Sequence, residues 1–349
     1  IRRQRTEDRN LGTDRLSSDL CSLLSVFYSL FTLLIMTAQP ITSTSRPRRR
    51  QASPMRRREA IEGILYTSPW IVGFIVFIAG PLFASLYLSF TKYNVLRPAK
   101  FIGLENYIVA LTKDPLFLPS IGRTFYYAAL LVPLSMIGSL VVAILLNQKL
   151  VATTAWRTMF FLPTLTPLIA AALLWRWMLN PDVGLVNYLL GQVGIKGPGW
   201  LSSIEWAIPA LVIMGLWASV GGSRMIIFLA GLQDVPKELL ESAEIDGAGT
   251  WAKFWNVTLP LITPTIFFNL ILGIIFALRT FEAAFITTNG GPAYATWFIS
   301  LHIYQNAFVS FDMGYASALS WLLFIILTVF TYLQFRLSGS WVFYAGERK

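Results

Sequence analysis

Apolar runs long enough to cross a bilayer recur along this chain, and they limit its architecture more than any other feature. A membrane-crossing α-helix takes roughly 20 apolar residues and satisfies its backbone hydrogen bonds internally. ILYTSPWIVGFIVFIAGPLFASLYLSF (64–90) is the first such run, with Pro69 and Pro81 expected to kink or bound it. Further spans are expected at about 123–147, 158–179, 206–229, 261–285 and 315–335. Only 13% of the 349 residues are charged, where a soluble domain carries about a quarter. The expected fold class is all-α, a polytopic membrane helical bundle with six core transmembrane helices.

The stretches between spans differ in character. NPDVGLVNYLLGQVGIKGPGW (180–200) is punctuated by Gly and Pro and reads as an external loop. TTNGGPAYAT (287–296) is a turn-rich break, and an interfacial or re-entrant helix is expected at 297–308.

The net charge is +10, much of it early, in RPRRR (46–50) and RRR (56–58). A basic flank before a first span places that flank in the cytoplasm, and polybasic contact with anionic lipid is an added use. Lys149, Arg157, Lys237, Lys253, Arg336, Arg348 and Lys349 fall on the same side if six spans return the chain to it. The expectation is a multi-pass protein of the cell membrane with both termini cytoplasmic. Lys92, Arg97, Lys100 and Lys113 in the first external loop obey the rule imperfectly. The charge excess does not indicate nucleic acid.

Cys21 is the sole cysteine and His302 the sole histidine. They allow neither an intrachain disulfide nor a Cys- or His-rich metal cluster, and no metal site is expected. His302 reads as an ordinary polar residue near a helix end. The basic extension 1–54 contains a semi-apolar run, LCSLLSVFYSLFTLLIMTA (20–38). It could be an extra span, a signal-peptide core or an upstream extension. We expect 1–54 to be disordered or dispensable, with Met55 the functional start.

One segment between the fourth and fifth spans is polar and acidic, ELLESAEIDGAGTWAKFWNVTLP (238–260). Asp234 is expected to cap a helix with Pro236 in its first turn. Leu239, Leu240 and Ala243 form a small apolar face, and Glu238, Glu241, Glu244 and Asp246 fill the remainder. Gly247 and Gly249 break the helix. A second helix begins near Thr250, with Trp251, Phe254 and Trp255 on one face, and ends at Leu259-Pro260. A helix lying on anionic lipid would carry Lys and Arg on its polar face. Carboxylates there favour docking to a protein.

These residues resemble a family. Bacterial ABC importer permeases carry E-A-A, three residues, G, nine residues, I, one residue, L-P. Here the pattern is Glu241-Ser242-Ala243, Gly247, Val257 and Leu259-Pro260, departing only at Ser242 and Val257. The extended form AEIDGAGTWAKFWNVTLPLITPTIFF is similar to the carbohydrate-uptake subfamily of the maltose and glycerol-3-phosphate permeases. FLPTLTP (161–167), GLENY (103–107), TNGGP (288–292) and YQNAF…MGYASAL (304–319) extend the likeness from about Arg56 to the C-terminus, and 55–349 is the expected permease domain.

The resemblance implies that the loop, Asp246 included, is a cytoplasmic coupling helix-turn-helix seated in a cleft of an ATP-binding subunit. It implies a second permease subunit, two ATP-binding subunits, an extracytoplasmic solute-binding protein and a bacterial inner or plasma membrane. The chain has no G-x-x-x-x-G-K-[ST] phosphate loop. It is therefore expected to bind no cofactor and to be no enzyme, with ATP and Mg on the partner subunits.

Charges within spans are candidates for a substrate path. Arg279 and Glu282 are expected at i, i+3 on the fifth span, with Arg279 about 27 Å from Leu261 at ~1.5 Å per residue. That height suits an outer-interface pair as well as a path. Gly273, Ala277 and Thr280 form a small-residue stripe fit for helix packing or for a path. Trp217, Phe276 and Phe281 could stack on a sugar or simply pack. Arg224 is expected near the cytoplasmic end of the fourth span, snorkelling to water. The reading is a permease for a sugar or sugar-related solute. The alternative is a self-contained ion-coupled secondary transporter, which has no reason to present such a loop.

Overall fold

The computed structural model describes residues 54–148 and 151–343. The basic extension through residue 53, Cys21, and the flanking residues Lys149, Arg348 and Lys349 lie outside the described residues. The chain divides between Phe90 and Thr91 into two compact units.

The first unit contains α1 (Pro54–Phe74), a π-helical turn (Ile75–Ala79) and α2 (Gly80–Ser89). They form a single candidate span, Ile61–Ser89, of mean hydropathy 2.3. Pro69 is accommodated inside α1, and Pro81 lies in the first turn of α2. Neither proline ends the span.

The second unit opens with a two-residue antiparallel pair, β1 (Thr91–Lys92) and β2 (Lys100–Phe101), then α3 (Glu105–Thr112) and α4 (Phe117–Leu146). It continues with α5 (Thr153–Leu165), α6 (Leu168–Met178), α7 (Leu185–Gln192), α8 (Ile204–Ser219) and α9 (Ser223–Gln233). The polar segment supplies α10 (Lys237–Ile245), α11 (Thr250–Lys253), a π-helical turn (Phe254–Thr258) and α12 (Leu259–Leu261). Then come α13 (Thr263–Leu278), α14 (Glu282–Thr287), α15 (Ile299–Tyr304), a π-helical turn (Gln305–Val309) and α16 (Met313–Ser338).

Among the described residues six candidate spans result when each bent pair is taken as one, and the fold is an all-α membrane bundle. The expected third and fourth spans are not straight. α5 and α6 meet at 92°, and α8 and α9 at 52°. Pro167 explains the first break: it forces Thr166 out of the helical region, to φ −71° and ψ 126°. The second break falls at Gly221-Gly222. A Cβ on Gly221 would strike the carbonyl of Phe160, and one on Gly222 would strike Thr164 Oγ1. The glycine pair thus lets the α8–α9 junction seat directly on α5. Inside the expected loop 180–200, α7 is held by Trp200 Nε1, which donates to Asn187 Oδ1 at 2.7 Å.

Lipid tails are as apolar as leucine, so close packing and interhelical hydrogen bonds hold such helices together. α4 is the central post, packed against α8, α9 and α13. Tyr127 and Val132 of α4 meet Leu211 of α8 and Ala277 of α13 in one buried cluster. Val142 and Leu146 meet Phe228, Leu232 and Ile262 in a second, next to the polar segment. A third joins Ala110, Phe117, Ile299, Leu319 and Leu323 at the other end of α4.

The segment expected at 297–308 forms α15 and a π-helical turn packed inside the bundle. Ile299, Leu301 and His302 are buried, and α15 packs on both α4 and α16. Asp312 caps α16, its Oδ1 accepting from Tyr315 N at 3.3 Å.

Candidate functional site

The E-S-A…G spacing has a local structural cause. Gly247 N–H donates to Glu244 O at 3.0 Å and Ala248 N–H to Ala243 O at 2.9 Å. These two bonds are the paired closures of a Schellman motif, in which the residue past the cap turns left-handed. Gly247 occupies that position with φ +82°. Ala243 accepts the longer closure, so the separation of Ala243 and Gly247 is fixed by helix-end geometry. Side chains have open space at Gly247, and only the backbone angle demands glycine.

Two expectations about the first helix are corrected. Asp234 does not cap α10; it closes α9, and Pro236 holds the N-cap position without a side-chain bond. The apolar face is also split. Leu240 packs on the cluster of Phe228 and Ile262, whereas Leu239 is exposed. Glu238, Glu241, Ser242, Glu244 and Asp246 are all exposed.

α11 starts at Thr250 as expected, yet it does not end at Leu259-Pro260. Leu259 N–H reaches back to Phe254 O in the π-helical turn, and α12 carries the helix through Leu261. Pro260 has no N–H to give, and the widened turn precedes it. Val257, Leu259 and Pro260 are half-buried, tying this half to the bundle. Lys253 Nζ meets Glu244 Oε2 at 3.0 Å and links the two halves across the turn.

The outer face of the element is apolar as well as acidic. Ile245 is 87% exposed and Trp251 73%. Trp251 stacks on Phe254 at 6.1 Å and meets Trp255 edge-on at 5.9 Å. Exposed apolar groups rimmed by charge mark an interaction surface.

The path candidates separate. Gly273 and Ala277 are buried on α13 facing α4, which is the packing use of the stripe, and Thr280 bonds the carbonyl of Phe276 at 3.4 Å. Arg279 and Glu282 do not share a helix: Arg279 closes α13, and exposed Glu282 opens α14 beyond a break. Trp217 is partly exposed and meets Trp175 edge-on at 6.1 Å. Phe281 stacks on Phe285 at 5.1 Å, so its ring is engaged in packing. Arg224 does not snorkel. Its Nη1 donates to Ser135 Oγ of α4 within the bundle.

Sequence reasoning missed one network entirely. His302 is 5% exposed, and its Nε2 stands 2.7 Å from Asp114 Oδ2. Tyr315 donates to the same oxygen at 2.5 Å, and Trp297 Nε1 donates to His302 Nδ1 at 3.1 Å. An indole N–H only donates, so Nδ1 accepts and the ring proton lies on Nε2, toward the carboxylate. Burial raises the Asp114 carboxyl, but hydrogen bonds from Tyr315, Leu116 N–H and His302 outweigh it and hold it below the ordinary 3.8. The network ties the segment before α4 to α15 and the start of α16. Asp114 lies 188 positions from His302, and no local pattern in the sequence signals it.

The family described as binding-protein-dependent transport system inner membrane component matches residues 117–342. A probable ABC transporter permease protein, YesP of Bacillus subtilis, is 38% identical over 84% of this chain and 95% of its own length. The trehalose/maltose transport system permease protein MalF of Thermococcus litoralis is 35% identical over 80% of this chain and 94% of its own. A chain of a bacterial ABC transporter involved in the import of the acidic polysaccharide alginate superposes with a TM-score of 0.72. It is 23% identical and covers 82% of this chain and 99% of that one, which shows the shared fold. The matched span runs from α4 through α16 and contains the Schellman turn at Gly247, so this chain belongs to the binding-protein-dependent inner membrane components, the permeases of ABC transporters.

Proposed function

We propose that this chain is the membrane-spanning permease subunit of an ATP-driven importer for a sugar or sugar-related solute. The observation that carries the reading is the exposed element 237–261, rigidly closed at Gly247 and presenting Ile245, Trp251 and four carboxylates. A short lever with a docking face suits the transmission of motion from another subunit. The relative that transports trehalose and maltose supports the sugar class.

In this reading Glu241, Ser242, Ala243, Asp246, Gly247, Val257, Leu259 and Pro260 form the coupling loop in the cytoplasm. Two ATP-binding subunits hold ATP and Mg and close on each other. The loop carries that closure into α9 and α13, which flank it. A second permease completes the pathway, and an external solute-binding protein delivers the sugar. Both termini face the cytoplasm, and residues 1–54 are dispensable. Alternating access then moves solute inward.

The test is reconstitution of this chain in proteoliposomes with its sister permease, ATP-binding subunits and solute-binding protein. Labelled trehalose, maltose and alginate oligosaccharides are offered. Accumulation of at least one should require ATP and survive collapse of ion gradients. Uptake by this chain alone, driven by H⁺ or Na⁺, would overturn the reading.

A further inference from the structure

Arg224 is a permanent cation, half-buried in an apolar bundle. Its Nη1 donates to Ser135 Oγ, whose own hydroxyl donates to Val132 O at 3.0 Å. Its Nη2 lies against α13, 3.0 Å from where a Cβ on Gly273 would stand. Among the described residues no carboxylate pairs with it; the carboxylates in contact with basic side chains are Glu62 with Arg58, Glu244 with Lys253 and Asp114 with His302.

Its depth can be read on two neighbours independently. Gly273 is ten residues into α13 from Thr263, about 15 Å at the helical rise. Ser135 is eleven residues before the end of α4 at Leu146, about 16 Å. Both distances start from the end of the bundle that holds the polar element. Half of a ~30 Å hydrocarbon core is ~15 Å, so the guanidinium lies near the midplane. It sits two residues beyond the break in the fourth span, where the Gly221-Gly222 junction seats on the broken third span. In secondary transporters discontinuous helices frame substrate sites at the midplane, and a broken span here offers the same kind of frame.

A charge at that depth is costly, and holding it there without a counter-ion points to a use in function. Ser135 neutralises none of it. Helix packing would be served better by an apolar side chain. The absent Cβ at Gly273 lets Nη2 lie against the backbone of α13. A guanidinium fork matches the two oxygens of an oxyanion.

We infer that Arg224 is a specificity-determining residue that receives the oxyanion of an acidic sugar, a carboxylate, sulfonate or phosphate, at mid-membrane. This rests on the sugar-import reading above and narrows it from sugars at large to anionic ones.

The experiment uses the complete reconstituted assembly with its solute-binding protein. Three labelled probes are compared: digalacturonate, glucose 6-phosphate and neutral maltose. ATP-dependent uptake of one of the anions should exceed that of maltose by at least tenfold. Arg224→Gln should lower that uptake at least tenfold, and Arg224→Lys should retain more of it than Arg224→Gln. Recovery of each variant with its partner subunits in wild-type yield separates this from misfolding. Maltose imported as fast as either anion would overturn the inference while leaving sugar import intact. Anion uptake at the wild-type rate in Arg224→Gln, or no advantage of Lys over Gln, would overturn it too. No ATP-dependent uptake of any probe would defeat it; no uptake of trehalose, maltose or alginate oligosaccharides either would defeat the import reading with it.

Discussion

Lys253 Nζ stands 3.0 Å from Glu244 Oε2, and the pair joins the last turn of α10 to α11 across the bend at Gly247. Two features therefore hold the element in one shape: a backbone closure and a side-chain tie. They differ greatly in weight.

The tie is the weaker. Glu244 is 71% exposed, and an exposed ion pair contributes about 0.2–1 kcal/mol. Glu244→Gln should lower the thermal midpoint of the purified permease by no more than about 2 °C. Scanning calorimetry or tryptophan fluorescence checks this. A much larger drop would mean that the pair holds the turn together.

The closure at Gly247 is the stronger. A side chain in the left-handed region costs roughly 1–2 kcal/mol, least for Asn. ATP-dependent uptake should fall in the order Gly, Asn, Ala, Val at position 247, while the amount of permease in the membrane stays constant. Because nothing crowds the position, the order should follow backbone preference and ignore side-chain volume. Uptake that tracked volume instead would contradict the assignment.

Gly273 should be sensitive to size. A Cβ there would lie 3.3 Å from Val132 Cγ1 as well as close to Arg224. The end of Arg224 can shift, so Gly273→Ala should be tolerated with uptake lowered a few-fold. Gly273→Leu would overfill the α4–α13 seam at a cost of about 1–3 kcal/mol or more. It should reduce recovery of the assembled transporter, measured by size-exclusion profile in detergent. Unchanged recovery would show the seam to be loose.

The Asp114 network predicts a pH dependence. Its carboxyl is depressed in the folded chain, so the stabilisation is fully present above the ordinary 3.8 and is lost as pH falls through the lower folded value. Asp114→Asn should lower stability at pH 7 by about 2–3 kcal/mol, since hydrogen bonds to a charged group are removed. The gap to the unsubstituted protein should narrow below about pH 4 as the carboxylate of the latter protonates. Thermal midpoints at pH 7 and pH 3 in the same detergent measure both. An equal gap at the two pH values would contradict the role given to the carboxylate.

What was legible in the sequence was local. The turn at Gly247 followed from glycine's backbone freedom, and the start of α11 was placed near Thr250. The spans followed from hydropathy, although their breaks did not: hydropathy reads straight through Pro167, which acts locally on Thr166, and Gly221-Gly222 acts through contacts with α5. Arg224 was misplaced for that reason. Counting along one segment put it near an end, whereas its neighbours on α4 and α13 put it near the middle. Arg279 and Glu282 read as one helical face because nothing nearby announces the break between them. His302 looked ordinary because its partner Asp114 is 188 positions away.

The central claim is that the element 237–261 docks an ATP-binding subunit. A photo-reactive phenylalanine analogue at Ile245, 87% exposed, tests it in the native membrane. The account predicts a covalent adduct between this chain and an ATP-binding subunit, identified by mass spectrometry and changed in yield by ATP. Adducts only with lipid, or with no ATP-binding subunit, would contradict it.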